Sequence, residues 1–192
     1  MEKNNDFYDQ VYKAGGHKKM YAKHYRHSLY LQLWKKSLDI LKEMEDPRII
    51  DIGCGVGQYA NLLFDHDFFH YKGIDFSDEA IRLAKITNSL YKDKFEVDNA
   101  YTSSIYNDDY NTAILFEVLE HLQEDLRVLS KLKVGTHVIL SVPNFDTVSH
   151  VRYFTGEEDV NKRYEELIAF QEIYTFPLAG SSKLFLAYGI KN

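Results

Sequence analysis

The stretch Ile49–Tyr59, "IIDIGCGVGQY", decides how this chain folds. Ile49, Ile50 and Ile52 around one acid, Asp51, read as a buried strand. Gly53, Gly55 and Gly57 then remove side chains at alternate positions. Such a turn, set between a strand and a helix opening at about Gly57, lets a ligand approach the backbone closely. A dinucleotide site asks for G-x-G-x-x-G with pyrophosphate on the helix N-terminus. Here the third glycine comes one residue early, Gln58 takes the sixth position, and the Asp51 carboxylate would repel a pyrophosphate. No Gly-Lys-Ser/Thr follows, which excludes a P-loop. The loop therefore suits a ligand that carries a cationic amino group and no phosphate at this end.

Outward from this turn, strands and helices alternate. Strands are expected at 48–52, 71–75, 94–97, 111–116 and 136–142, then at 169–176 and 183–190. The last two, joined by "PLAGSS", read as an antiparallel hairpin. Ser77 is placed as an N-cap, with Asp78 and Glu79 in the first helical turn. Thr155–Glu158 reads as a capping box for a last helix. Upstream, Leu31, Trp34, Leu38 and Leu41 recur at helical spacing, Gly15-Gly16 breaks an earlier helical stretch, and Asp46-Pro47 ends the region. The fold class that follows is α/β: a doubly wound, mostly parallel seven-stranded sheet with a C-terminal antiparallel hairpin. One domain spans 1–192, with 1–46 as a helical N-terminal lid and 47–192 as the ligand-binding core.

The 192 residues are 45% hydrophobic and contain no apolar run long enough to span a bilayer. The acidic start "MEKNNDFYDQ" is no signal peptide, and the lone Cys54 permits no internal disulfide, so a cytoplasmic setting is expected. Cys54 needs no role beyond packing. The net charge of −6 argues against bulk nucleic-acid affinity. Between Gln10 and Leu38, however, there is no acid; lysines, histidines and Arg26 are interleaved with Tyr12, Tyr21, Tyr25, Tyr30 and Trp34. That segment suits an anionic or aromatic acceptor, or it balances the acidic body.

Asp75 ends the second expected strand, 22 residues after Gly53, near the offset at which an acid reaches ribose hydroxyls. Phe76 follows and can lie against a purine. A nucleoside with an amino-acid-like tail is the ligand so described, as in S-adenosylmethionine (SAM). At these residues the chain resembles the class I SAM-dependent methyltransferases, which share a Rossmann-like fold: "IIDIGCGVGQYANLL", "GIDFSDEAI", "DYNTAILFEVLEHL" and "THVILSVPN" are similar to their motifs over roughly 48–144. The resemblance implies that Asp51, Gly53, Gly55 and Gly57 hold the methionine end, Asp75 the ribose, Phe76 the adenine, and Asp98 or Asn99 the adenine amino group. It sets Phe116 and Glu117, which close the fourth strand, beside the same ligand.

"FEVLEHLQE" read as a helix puts Glu117, Glu120, His121 and Glu124 on one face at i, i+3, i+4 and i+7, with Glu124 solvated. The E-x-x-E-H pattern resembles two subgroups, the ubiquinone-pathway O-methyltransferases and the small-RNA terminal 2′-O-methyltransferases. The second implies a divalent cation, Mg²⁺ or another, at Glu117, Glu120, His121 and a later His, for which His150 stands. Without a metal, His121 or His150 is the expected catalytic base. The expected function is methyl transfer from SAM to a hydroxyl or amine of a small molecule. The alternatives are a metal-assisted RNA 2′-O-methyltransferase and a SAM-binding protein without catalysis. A nicotinamide dehydrogenase is disfavoured by the glycine spacing. Neither the acceptor nor the oligomeric state is readable.

Overall fold

A computed structural model of the chain describes residues 2–192; Met1 and the side chains of His17 and Lys18 lie outside the described residues. Seven strands form one sheet: β1 (Ile49–Ile52), β2 (Tyr71–Asp75), β3 (Phe95–Val97), β4 (Thr112–Phe116), β5 (His137–Pro143), β6 (Ile168–Pro177) and β7 (Lys183–Lys191). Their order is β3-β2-β1-β4-β5-β7-β6. β1 to β5 pair in parallel, and β7 runs antiparallel between β5 and β6. The expected mostly parallel sheet with its terminal hairpin is borne out.

The helices are α1 (Asn5–Lys13), α2 (Leu31–Lys42), α3 (Gln58–Phe64), α4 (Asp78–Thr87), α5 (Asp125–Ser130) and α6 (Glu157–Tyr164). Strand side chains alternate between the sheet's two faces. Ile114 and Ile139 join the core under α2, α3 and α4, whereas Ala113, Leu115, Val138 and Leu140 join the core under α5 and α6. The expected stripe on α2 is realised: Trp34, Leu38 and Leu41 are buried. Ser77 caps α4, its oxygen accepting from Ala80 N–H at 3.1 Å.

Two local expectations are corrected. Thr155 does not cap α6 through Glu158. Its N–H and its hydroxyl both donate to Asp159, and the N-cap position falls on Gly156. The segment after β4 is not a helix from Glu117 onward. Residues 117–124 form turns, and α5 begins only at Asp125. Glu117 has φ +55°, a left-handed conformation that no α-helix tolerates. The chain reverses sharply at the carboxyl end of β4, so the polar residues that follow stay near the sheet edge.

That edge is the topological switch point. β1 lies between β2 and β4, and the connections leave it in opposite directions. Open sheets of this kind leave a crevice there, outside the strand ends. α1 and the irregular residues 14–30 lie across this crevice.

Candidate active site

Two cavities occupy the crevice. The larger, about 370 Å³, is lined by Gly53, Asp75, Phe76, Asp98, Asn99, Glu117, Glu120, His121 and His150, together with Tyr8 and Tyr12 from α1. The smaller, about 100 Å³, is lined by Asp51, Gly53, Gly55, Phe116, Glu117 and Ser141, with Tyr12, Tyr21, Tyr30 and Trp34 on the side of the N-terminal segment. Gly53 and Glu117 border both. Of the residues expected at the site, Gly57 alone lines neither.

The glycines have different reasons. Gly53 has φ +77°, and a Cβ there would meet Val118 Cγ2 at 2.4 Å, so the β1 turn and the post-β4 turn close on each other only without a side chain. Gly57 has φ +71° and faces Asn88 and Ala84, where a Cβ would meet Asn88 Nδ2 at 2.6 Å. It therefore serves α3–α4 packing. Gln58, at the sixth motif position, donates through Nε2 to the Met20 and Lys23 carbonyls at 3.0 and 2.5 Å. The residue that breaks the dinucleotide pattern thus ties the N-terminal segment to α3.

Two carboxylates anchor the turn. Asp75 accepts from Gly55 N–H at 3.0 Å and from Ser77 N–H at 2.9 Å. Burial lifts its pKa to about 6 against those hydrogen bonds. Asp51 accepts from the Tyr71 hydroxyl at 2.7 Å, and burial lifts it to about 7. After β3, Asp98 accepts from Ser103 Oγ at 2.6 Å, while Asn99 spends its amide oxygen on Tyr101 N–H at 2.8 Å. Asp98 and Asn99 both edge the larger cavity beyond Phe76.

At the other end, single ligand atoms of Glu120, His121 and His150 all lie within 4.8 Å of one another. Glu117 is not part of that group. Its Oε1 accepts from Ser141 Oγ at 2.9 Å, and its N–H donates to Ser141 O at 3.2 Å and Oγ at 3.1 Å. Ser141, in the middle of β5, had no visible signal in the sequence. Burial raises the Glu117 and Glu120 carboxyls, and the Glu117 charge raises Glu120 further.

Both imidazoles are oriented. His121 Nδ1 donates to Ser149 O at 3.0 Å, and His150 Nδ1 donates to Phe145 O at 2.9 Å. With Nδ1 carrying the proton, each Nε2 of a neutral ring keeps its lone pair. Burial favours the neutral rings: it lowers His121 to about 4 and lowers His150 as well. Glu120 is 0% exposed, and neither of its oxygens has a hydrogen-bond partner. A buried carboxylate without a partner is costly, and such groups normally coordinate or pair.

Residues 22–178 match the family model for a methyltransferase domain. The chain belongs to that methyltransferase family. It is a class I, SAM-dependent methyltransferase, as its motifs predict. Its fold is similar to magnesium protoporphyrin IX methyltransferase from Synechocystis PCC 6803, crystallised with bound S-adenosylhomocysteine (SAH), at 15% identity and TM-score 0.70, covering 98% of this chain and 95% of that one. It is similar to the N-methyltransferase NodS from Bradyrhizobium japonicum WM9, at 18% identity and TM-score 0.64, covering 85% and 87%. It is also similar to the methyltransferase domain of bacterial CtHen1, at 19% identity and TM-score 0.65, covering 86% and 100%. These are likenesses of fold. No curated protein matches the chain. Among the described residues of this methyltransferase, no helix is long and apolar enough to cross a membrane.

Proposed function

We propose that this SAM-dependent methyltransferase acts on a small-molecule acceptor, with a divalent cation held by Glu120, His121 and His150. The observation that carries the reading is the Glu120 carboxyl group, fully buried, without a hydrogen bond and with Oε1 3.8 Å from His121 Nε2, beside two imidazoles whose Nδ1 atoms are already engaged. Two imidazoles and one carboxylate suit Mn²⁺, Zn²⁺ or a similar ion better than Mg²⁺. Bound there, such an ion supplies Lewis acidity and a fixed positive charge.

The chain's own residues do the rest. Asp51 and the Gly53–Gly55 backbone face the methionine end of the donor, Asp75 the ribose, and Phe76 with Asp98 or Asn99 the adenine. Glu117 stands on the wall shared by the two cavities. Burial raises its carboxyl toward neutral pH, and Ser141 fixes it, which fits a base that receives the acceptor's proton. α1 and residues 14–30 act as a lid. Glu2 accepts from Tyr101 OH at 2.8 Å and from Gln123 N–H at 2.7 Å, joining the chain's start to both rims of the larger cavity. Asp9 accepts from Ser77 Oγ at 2.5 Å and joins α1 to α4. A crevice tied shut in this way supports a small acceptor aligned out of water.

The runner-up is metal-assisted RNA 2′-O-methylation, which the same three ligands would serve. The net charge of −6 weighs against it. Calorimetric titration with SAH and with Mn²⁺, before and after EDTA, tests the first reading. SAH is expected to bind in both conditions, and Mn²⁺ to bind wild type at least tenfold tighter than Glu120→Gln. Absence of SAH binding ends the reading of the cleft. Equal Mn²⁺ affinities end the reading of the cation site. Steeply salt-dependent binding of a short RNA would transfer the case to the runner-up.

A further inference from the structure

A second polar group on the larger cavity lacks a partner. The Tyr8 hydroxyl is buried and makes no hydrogen bond. Tyr8 projects from α1 with its ring edge-on to Phe76 (centroids 5.3 Å apart, 63°) and to His121 (5.6 Å, 82°). It thus stands between the residues assigned to adenine and those assigned to the cation. A phenol is protonated at neutral pH, so the hydroxyl is a donor. Ser149 Oγ lies near the phenol but outside hydrogen-bond geometry, and it shares a hydrogen bond with Thr147 Oγ1 at 3.1 Å. A buried donor without a protein acceptor costs about 1–3 kcal/mol, so an acceptor atom of a bound ligand in the cavity would satisfy it. Tyr8 lies in the N-terminal segment, outside residues 22–178.

We infer that the methyl acceptor is an oxygen nucleophile and that the Tyr8 hydroxyl binds it. This deepens the proposed function and rests on it. The orphan carboxylate and the two imidazoles taken alone would also accept an ammonium group. The orphan phenol separates the cases. A hydroxyl oxygen has two lone pairs, one to attack with and one to accept from Tyr8. A neutral amine has a single pair, needed for the attack, and an ammonium has none to offer. In the transfer, a C–O bond forms as the methyl C–S bond of the donor breaks. The bonding pair leaves on sulfur as a neutral thioether, and the hydroxyl proton goes to the Glu117 carboxylate.

The probes are catechol and its nitrogen counterpart 1,2-diaminobenzene, titrated calorimetrically into protein loaded with SAH and Mn²⁺. Wild type is expected to bind catechol at least tenfold tighter. Tyr8→Phe keeps the ring and removes only the donor. It is expected to lose about tenfold for catechol and nothing for the diamine, with SAH and Mn²⁺ affinities unchanged. A variant that weakens both probes equally or neither, or a wild type that prefers the diamine or binds neither probe, overturns the inference. Failure of wild type to bind SAH or Mn²⁺ is a different result. It removes the proposed function itself, independently of Tyr8.

Discussion

His121 and His150 stand with ring centroids 4.9 Å apart at 68°. The carbonyls that fix both rings, Ser149 O and Phe145 O, come from the single connection between β5 and α6. One loop therefore sets the tautomer of an imidazole on another loop and of its own. Val151 N–H closes the arrangement by donating to Glu120 O at 2.8 Å. Orientation of a ligating imidazole by a hydrogen bond from its other nitrogen is the usual support of a metal site.

Glu120 stores instability that the cation would relieve. Glu120→Met, measured by thermal unfolding in EDTA at pH 7.5, should raise Tm by roughly 2–12 °C, from about 1–3 kcal/mol of desolvation no longer incurred. Adding Mn²⁺ should raise the Tm of wild type and leave that of the variant where it was. A variant less stable than wild type in EDTA would mean that the carboxylate already has a partner in solution.

The fold was legible because buried parallel strands read as short apolar runs and because the Ile49–Tyr59 turn has so few physical solutions. The site was legible only in part. Glu120 and His121 are expected on one face of a helix, which the structure replaces with turns, and His150 enters only through the resemblance. Helical spacing and a left-handed turn at Glu117 both bring Glu120 and His121 together, but the turn sends Glu117 to Ser141, and sequence periodicity does not tell the two apart. Ser141 carries no mark among the apolar residues of β5. Tyr8 sits in "DFYDQVY", which reads as a polar helix; its importance arises only because α1 lies across the cleft.

Asp51 gives a pH signature. Its folded-state pKa is raised from 3.8 to about 7 by burial. For a raised carboxyl, the stabilising contribution is complete below the unfolded pKa and is lost as pH rises through the folded one. The ligand-free protein should therefore lose up to about 4 kcal/mol at this residue between pH 4 and pH 7. Asp51→Asn keeps an acceptor for the Tyr71 hydroxyl and cannot ionise. The stability of the variant minus that of wild type should be near zero at pH 4 and clearly positive by pH 8. Titration of His121 and His150 is common to both proteins and cancels in the difference. A difference that does not change with pH would mean that Asp51 is solvated.

Trp34 reports on the cofactor end. It is the chain's one tryptophan, and it lines the smaller cavity within 5.9 Å of Tyr59. SAH should change its fluorescence. The midpoint of that titration should move by about 10–100-fold in Asp75→Asn, which loses the charged acceptor proposed for the ribose, worth about 1.5–3 kcal/mol. An unchanged midpoint would remove Asp75 from the cofactor site.

Arg152 is the residue on which the shape of the proposed cation site depends. Its guanidinium donates to the carbonyls of Leu119, Leu122 (2.5 Å) and Gln123 (3.0 Å), the turn that carries Glu120 and His121. It also pairs with Asp125 at 3.2 Å. Asp125 is 0% exposed and takes Arg163 at 2.6 Å and Tyr164 OH at 2.9 Å. Arg152 stands two residues from His150, so it locks the loop bearing one imidazole to the turn bearing the other. Its charge also holds the rise of Glu120 in check. Arg152→Met strands three carbonyls and part of a buried carboxylate, at about 3–5 kcal/mol of stability. Arg152→Lys keeps the charge but not the planar fork, and should recover less than half of the loss. Both variants should bind Mn²⁺ about tenfold more weakly while SAH affinity, set at the far end of the cleft, stays within twofold. Calorimetry on the folded variants at 15 °C separates the two effects. Parallel loss of SAH and Mn²⁺ binding would mean that Arg152 supports the fold as a whole, whereas loss of Mn²⁺ binding alone assigns it to the geometry of Glu120, His121 and His150.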